Sequence, residues 1–203
     1  MFIRAIVGCA ALSCVVACGD SNAPSSEPVG VLGPSEISGP TIGAGPRSAA
    51  QPNASADVKV NMLDACDPDT FNAALGAGTC VRNGGVKFND FITQLTRNGF
   101  VGPWQFAPKV VNAHEGEQFV VLNRGGEVHT FTEVDDFGGG IVPQLNELAH
   151  VPNVAPECKS LGAGDFVAPG QTFEEDIEEE GEEKYQCCIH PWMRLTVSVS
   201  EAH

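Results

Sequence analysis

Residues 187–193 read Cys-Cys-Ile-His-Pro-Trp-Met, and this stretch says more about the fold and chemistry of the chain than any other. It provides a thiol at Cys187, an imidazole at His190 and a thioether at Met193. These soft and borderline ligands suit copper better than any hard cation. A mononuclear site needs one more nitrogen ligand, and His129 can supply it. The stretch therefore predicts a copper site that is complete only when a distant part of the chain folds against it.

The residues on both sides of this stretch have the pattern of short β-strands. After it, Leu195, Val197 and Val199 alternate with polar residues, which is typical of a strand with one buried face. Before it, short apolar runs separated by polar turns extend back to Trp104. Many short strands with regular turns indicate an all-β, antiparallel sandwich, here over residues 104–203.

The segment 58–103 has a mixed pattern, and we expect a small, partly helical extension packed on the sandwich. Asp67 followed by Pro68 is a good helix start. Residues 88–97 carry apolar side chains at helical spacing, and Gly99 would end that helix. The segment contains no catalytic constellation, so we predict a structural role for it.

Residues 135–164 contain no convincing strand, which is unusual for thirty consecutive residues of a compact domain. Three glycines at 138–140 and two prolines in the segment favour a loop. We predict a long loop insertion that either has a function of its own or is held covalently through Cys158.

The N-terminus has the features of a targeting segment. Arg4 precedes an apolar stretch of 13 residues, Ala5–Ala17, which is too short to span a bilayer. The stretch ends in Val-Val-Ala before Cys18, as in a bacterial lipobox. Residues 1–17 are therefore predicted to be a lipoprotein signal peptide, with Cys18 as the lipidated residue. Ordinary signal-peptide cleavage nearby and lipidation at Cys14 are the alternatives.

Residues 18–57 are rich in Ser, Pro, Gly and Ala and show no apolar period up to residue 56. This composition predicts a disordered tether between a lipid anchor and the folded part. We therefore expect an extracytoplasmic, membrane-anchored lipoprotein, on the periplasmic side or at the cell surface, where disulfides persist.

Several motifs occur along the chain in a fixed order: Phe106-x-Pro108, Gly116-Glu117, Asn123, His129-Thr130, Ala168-Pro169-Gly170-Gln171 and Tyr185-x-Cys187-x-x-His190-Pro191-x-Met193. In this order they resemble the motifs of the cupredoxin family, the type 1 blue copper proteins, over roughly residues 104–200. The short Cys-x-x-His-Pro-x-Met ending is most similar to the amicyanin branch of these amicyanin- and plastocyanin-like proteins. The resemblance implies a Greek-key β-sandwich with one type 1 copper at one end.

The resemblance also implies roles for individual residues. It assigns four copper ligands: His129, Cys187, His190 and the weak axial Met193. Asn123 would connect the two ligand loops by hydrogen bonds. Trp192 would shield the metal, and His190 would be exposed at an apolar surface where electrons enter and leave.

The chain departs from the small cupredoxins in its cysteines and in the length of the insertion. His129 and Cys187 lie 58 positions apart, and the loop 135–164 accounts for the excess. Neighbouring side chains of a strand point to opposite faces, so Cys188 is directed away from the metal. With Cys18 lipidated and Cys187 on copper, four cysteines remain, which allow three pairings. We favour Cys66–Cys80 and Cys158–Cys188; a Cys187–Cys188 disulfide is the alternative that would abolish the site.

The chain is strongly acidic, with 26 Asp and Glu against 11 Lys and Arg and a net charge of −15. Such a charge excludes nucleic acid as a partner. Acidic side chains crowd residues 174–183, without the spacing of a calcium loop. They form either a solvated turn that resists edge pairing or a docking patch for a basic redox partner such as a c-type cytochrome.

Other metal chemistry and enzymatic function fit the sequence less well. Zinc avoids thioether, and a binuclear copper centre needs cysteines spaced further apart than Cys187 and Cys188. The sequence has no Ser/His/Asp set and no phosphate loop. We therefore predict a monomeric carrier of single electrons that is not an enzyme. A copper-delivery lipoprotein and a structural domain with an idle site are the alternatives.

Overall fold

The structure, a computed structural model, describes residues 57–202, which form ten β-strands and three α-helices. The strands are β1 (Val58–Leu63), β2 (Gln105–Ala107), β3 (Val110–His114), β4 (Gln118–Asn123), β5 (His129–Thr130), β6 (Thr132–Glu133), β7 (Phe166–Val167), β8 (Thr172–Asp176), β9 (Gly181–Gln186) and β10 (Arg194–Ser200). The helices are α1 (Pro68–Leu75), α2 (Phe88–Asn98) and α3 (Pro143–Leu148), and two 3₁₀ turns cover Glu157–Lys159 and Ala163–Asp165.

The strands form two four-stranded sheets and one short ribbon. The first sheet has the order β2-β1-β4-β8 and the second the order β3-β10-β9-β6, while β5 pairs with β7. Most neighbours are antiparallel, but β1 and β4 are parallel, as are β3 and β10. Both four-stranded sheets are therefore mixed rather than purely antiparallel. The strands of each parallel pair are far apart in the chain, because a parallel pair requires a long crossover connection.

One hydrophobic core lies between the two four-stranded sheets. Strand β4 buries every second residue, including Phe119, and β10 does the same with Leu195 and Val197. The rings of Phe119 in the first sheet and Tyr185 in the second make an edge-on contact, with their centroids 5.1 Å apart. The predicted fold class, an all-β sandwich with small helical parts, is confirmed.

The segment 58–103 is more deeply built into the sandwich than the sequence suggested. Its first strand, β1, lies between β2 and β4 as an inner strand of the first sheet. The predicted boundary at residue 104 therefore does not separate the sheet from the segment before it. The rest of the segment contains α1 and α2, close to the positions that the sequence predicted. Asp67 caps α1 by accepting the Thr70 N–H at 3.0 Å, and Gly99, with φ 74°, caps the C-terminus of α2.

The insertion 135–164 is not a plain loop, because it contains α3 and the two 3₁₀ turns. Three of its apolar residues, Leu145, Leu148 and Ala149, pack against the main core. A disulfide between Cys158 and Cys188 attaches it to the segment after β9. The insertion is thus attached to the end of the sandwich that carries Cys187.

Several predictions concern residues outside the described range. The signal peptide 1–17, the lipidated Cys18 and nearly all of the tether 18–57 belong to this group. Within residues 57–202, no helix is long and apolar enough to cross a membrane.

Candidate metal centre

Three predicted ligands meet at one end of the sandwich. His129 begins β5, Cys187 follows the last residue of β9, and His190 lies in the turn between β9 and β10. Each imidazole turns its Nδ1 atom toward the sulfur of Cys187, and both Nδ1–Sγ distances are 3.8 Å. The ligand atoms of all three residues lie within 4.8 Å of one another. His129 and Cys187 are fully buried and His190 is 3 % exposed, so the group is closed to solvent.

The loop that carries Cys187, His190 and Met193 is a tight backbone turn. The Cys187 N–H donates to the Met193 carbonyl at 3.0 Å, and the Met193 N–H donates to the His190 carbonyl at 2.9 Å. The Met193 side chain is fully buried in the main core. The backbone turn therefore fixes the relative positions of three of the four predicted ligands. Ordering these three residues around a metal would cost little additional entropy.

Thr130, next to His129, connects the two ligand segments. Its N–H points at the Cys187 sulfur at 3.4 Å, and the His190 N–H does the same at 3.4 Å. The Thr130 hydroxyl accepts the Cys188 N–H at 2.8 Å. Two N–H donors on one sulfur favour the thiolate form of Cys187.

Asp64 supports the far side of His129. Its Oδ2 atom lies 2.9 Å from Nε2 of His129, and both side chains are almost completely buried. The same carboxylate accepts the N–H groups of Gly126 and Glu127 at 2.8 and 3.0 Å. The sequence did not indicate this residue, because Asp64 follows a strand that was not predicted and lies 65 positions before its partner.

Glu127 stands in a similar position behind His190, with looser contact. Its Oε2 atom accepts the indole N–H of Trp104 at 2.6 Å and lies 3.8 Å from Nε2 of His190. The residue is only 6 % exposed. Burial raises the pKa of Glu127, and the opposing charge of His190 reduces that rise. Its position two residues before His129 was the one sequence signal that could have identified it.

Asn123 connects different elements from those the resemblance implied. Its side-chain amide donates to the carbonyls of Glu127 and Val167, each at 2.8 Å, and its Oδ1 accepts the Gly125 N–H at 2.9 Å. Val167 pairs with His129 across β5 and β7. Asn123 therefore fixes both sides of the His129 loop, whereas Thr130 makes the connection to the Cys187 loop.

His190 is buried, contrary to the implied exposure at an apolar surface. The Trp192 ring packs edge-on against it, with centroids 5.5 Å apart. Phe91 of α2 packs on Trp192 at 6.0 Å. The expected exposed edge is thus covered because the helical segment before residue 104 folds over this end of the sandwich. Trp192 therefore covers the His190 ring; its predicted role of shielding the metal stays a prediction.

The ionisation of the metal-free site follows from these contacts. Burial raises the pKa of the Cys187 thiol, but hydrogen bonds with His129 and His190 outweigh burial and bring it well below its usual value. Burial lowers the pKa of His129, yet hydrogen bonds with Asp64 and Cys187 raise it to about 9. Burial raises the pKa of Asp64, while the bond to His129 and two backbone N–H groups lower it to about 2. These contacts therefore favour the charged forms of Cys187, His129 and Asp64 in the metal-free site.

The other four cysteines of residues 57–202 are paired. Disulfides join Cys66 to Cys80 and Cys158 to Cys188, the pairs that the sequence favoured, and Cys187 is the free cysteine of residues 57–202. A second group of three residues, Asp64, Cys66 and Glu127, also has metal-ligand spacing. It lacks a free thiol because Cys66 is oxidised, so it does not form a second soft-metal site.

The donor set of the three-residue group fits copper. Two imidazole nitrogens directed at one depressed-pKa thiolate, on a loop that also carries a buried thioether, are the ligand types of a mononuclear copper site. A structural zinc site would use four nitrogen or sulfur ligands without thioether. A lowered thiol pKa favours the thiolate form that metal binding requires, and thiolate is a ligand that soft cations prefer.

No protein-family model matches the chain, and no curated protein matches it. Among solved structures, it is similar to a purple cupredoxin from Nitrosopumilus maritimus, at 24% identity over 49% of this chain and 86% of that one, with a TM-score of 0.36. An amicyanin variant with Cu(I) is 19% identical over 47% of this chain and 73% of that one, with a TM-score of 0.33. Plastocyanin from Dryopteris crassirhizoma is 15% identical over 70% of this chain and 100% of that one, with a TM-score of 0.36. These likenesses are weak, and none of them identifies a family for this chain.

Proposed function

We propose that the protein is a type 1 copper protein of the cupredoxin kind that carries single electrons between extracytoplasmic redox partners. One copper would be held by four residues: His129, Cys187, His190 and Met193. The observation that carries this proposal is the approach of two Nδ1 atoms to the Cys187 sulfur at 3.8 Å within a buried pocket.

Bound copper would supply a one-electron couple between its cuprous and cupric states. The chain contributes the environment for that couple. Asp64 and Thr130 hold the ligand side chains in place before metal binding, and the surrounding core excludes water. A rigid, dry site supports electron transfer because little rearrangement accompanies the change of charge.

Burial of the site also supports a carrier rather than an enzyme. His129 and Cys187 have no exposed surface and His190 has almost none, so a substrate molecule has no open face of these ligands to approach. The same closure argues against rapid handing-over of the metal, as a copper-delivery protein requires.

The location and partners proposed here follow the sequence. Two disulfides are typical of an extracytoplasmic protein. We propose that Cys18 carries the lipid anchor and that residues 18–57 tether a monomeric domain to the membrane. A redox protein would exchange electrons with it, and a basic c-type cytochrome attracted by the acidic residues 174–183 is the candidate that the sequence suggests.

Addition of one equivalent of Cu(II) to the purified, metal-free protein tests the proposed function. An intense blue, green or purple absorption from thiolate-to-copper charge transfer is expected, with reversible bleaching on reduction. Cys187→Ser removes the band, whereas the double variant Cys158→Ser/Cys188→Ser, the matched control, keeps it. Colourless and weakly bound copper in the unaltered protein would contradict the proposal and favour delivery or an idle site.

A further inference from the structure

A surface cavity of about 320 Å³ is lined in part by Trp192, which packs against the buried His190. Its lining includes Trp104 and Trp192, the half-exposed Phe100 and two basic residues, Lys109 and Arg194. Because His190 itself is buried, any electron that passes through this histidine must cross another group before it reaches a partner.

Both indoles of the cavity are connected to His190. Trp192 packs edge-on against the imidazole, with centroids 5.5 Å apart. Trp104 is connected through Glu127, whose Oε2 accepts the indole N–H at 2.6 Å and lies 3.8 Å from Nε2 of His190. The cavity is therefore the surface to which the two aromatic neighbours of this ligand lead.

The charge of the cavity is the reverse of the charge of the chain. Lys109 and Arg194 are the charged residues of its described lining, and no carboxylate is among them. The whole chain has 11 Lys and Arg against 26 Asp and Glu. Arg194 is held in place next to the ligand loop, because its Nε donates to the Pro191 carbonyl at 2.8 Å and its guanidinium lies 4.8 Å from the Phe137 ring centroid.

We propose that this Trp104–Trp192 cavity is the port through which electrons enter and leave, and that it receives a redox protein presenting a carboxylate beside its electron-exchanging group. The inference rests on the proposed function and names the docking surface and the partner chemistry of the same site. In each transfer one electron passes between the site and the partner through His190 and Trp192. One centre is oxidised by one electron, the other is reduced by one, and no bond or proton moves.

The acidic residues 174–183 are a less suitable port. They cover the connection from β8 in the first sheet to β9 in the second. Glu180 precedes the first residue of β9, whereas Cys187 follows its last residue. Six strand residues at about 3.3 Å each put Glu180 roughly 20 Å from the ligand end. The charge of these acidic residues acts on the approach of a partner rather than at the point of electron exchange.

Two inorganic oxidants of opposite charge test the port on the full copper-loaded chain. The cuprous protein is mixed at low salt with hexacyanoferrate(III), an anion, and in parallel with tris(phenanthroline)cobalt(III), a cation, and the return of the cupric band is followed by stopped flow. Lys109→Glu reverses one exposed charge at the cavity. Lys59→Glu, on the exposed face of β1 at the end far from Asp64, is the matched control.

With the port at the cavity, Lys109→Glu slows the hexacyanoferrate reaction on the order of tenfold relative to Lys59→Glu, and high salt removes the difference. Trp192→Leu slows both oxidants more than Trp192→Phe does, while the copper band of each variant is retained. Equal rates for Lys109→Glu and Lys59→Glu would overturn the inference. A cobalt reaction that is fast and is slowed by Glu180→Gln would also overturn it, because it would favour a basic partner at the acidic residues 174–183.

The two levels of the proposal fail in different measurements. The proposed function is tested at equilibrium by the reversible copper band of the unaltered protein, without any oxidant of defined charge. The port is tested by relative rates among variants that retain that band. A protein with the band but without charge-specific rates keeps its proposed function and loses this port.

Discussion

Asp64 and His129 are 65 positions apart, yet Oδ2 of the carboxylate lies 2.9 Å from Nε2 of the imidazole. Nε2 donates in this pair when it carries the proton, which leaves Nδ1 directed at the Cys187 sulfur. The end of β1 thereby sets the orientation of the ligand on β5. This contact explains why an inner strand from the segment before residue 104 matters to the metal centre.

Loss of the Asp64 carboxylate is expected to weaken copper binding. Asp64→Asn keeps a hydrogen-bond acceptor but removes the charge, and Asp64→Ala removes both. We expect Asp64→Ala to lower copper affinity about 10- to 100-fold, with a smaller loss for Asp64→Asn. Competition with a copper chelator measures the affinity. Asp136→Asn, at a side chain that is 92 % exposed, is the control, and an equal effect there would contradict the prediction.

Removal of the Glu127 charge is expected to raise the reduction potential. A buried carboxylate stabilises the cupric state more than the cuprous state, because the cupric site carries one more positive charge. Glu127→Gln should raise the potential by about 60 mV or more, the equivalent of a tenfold change in the relative affinity for the two states. Spectroelectrochemical titration gives the value. An unchanged or lower potential would mean that this carboxylate is neutral in the loaded protein.

Glu175 provides a pH dependence that is independent of the metal. Burial, followed by the charges of Glu133 and Glu183, raises its pKa from 4.5 to about 7, and its Oε2 is buried with no partner in the described part of the chain. A raised carboxyl pKa favours folding fully below pH 4.5, and the benefit is lost as the pH rises through 7. Glu175→Gln should therefore raise the melting temperature at pH 8 but not at pH 4.5.

Thermal unfolding of the metal-free protein at these two pH values checks the prediction. Glu182→Gln removes the same charge from an exposed position of β9 and serves as the control. A gain that is equal at both pH values, or equal in the control, would show that burial of Glu175 is not its cause.

Gly140 is expected to tolerate no side chain. A Cβ atom built there meets the backbone carbonyl of Cys188, the residue after the proposed ligand Cys187. A Cβ atom at Gly164 of the same insertion meets nothing within 4 Å. Gly140→Ala should destabilise the protein by about 1–3 kcal/mol through forced backbone movement. Urea unfolding measures the change. Gly164→Ala, the control, should be neutral or slightly stabilising, and a similar loss in both would contradict the steric explanation.

Removal of the Cys158–Cys188 disulfide is expected to destabilise the protein, because this bond attaches the insertion 135–164 to the segment after β9. The bond closes a loop of 30 residues, so its loss through Cys158→Ser/Cys188→Ser should cost about 3 to 4 kcal/mol of unfolding free energy by the chain-entropy model. The copper band should persist, since neither residue is a ligand. Urea unfolding of the loaded protein, with Cys66→Ser/Cys80→Ser as the comparison for a loop of 14 residues, measures the difference.

The ligand types and their spacing were readable from the sequence because they depend on local chemistry. The order of Cys187, His190 and Met193 on one loop is set by a few consecutive residues. Alternation in β10 and the cap of α1 at Asp67 are local in the same sense, and both are found in the structure. The sandwich class followed from many such short signals taken together.

The surroundings of the ligands were decided only by tertiary structure. Asp64 bears no sequence mark of its contact with His129, and the position of Glu127 two residues before His129 does not indicate its contact with His190. Such pairs form by packing between elements far apart in the chain. The burial of His190 likewise depends on α2 folding over Trp192. Periodicity reports which face of an element is apolar, but not which element will cover it. The sequence thus determined the candidate ligands, and the fold determined their burial and their charge environment.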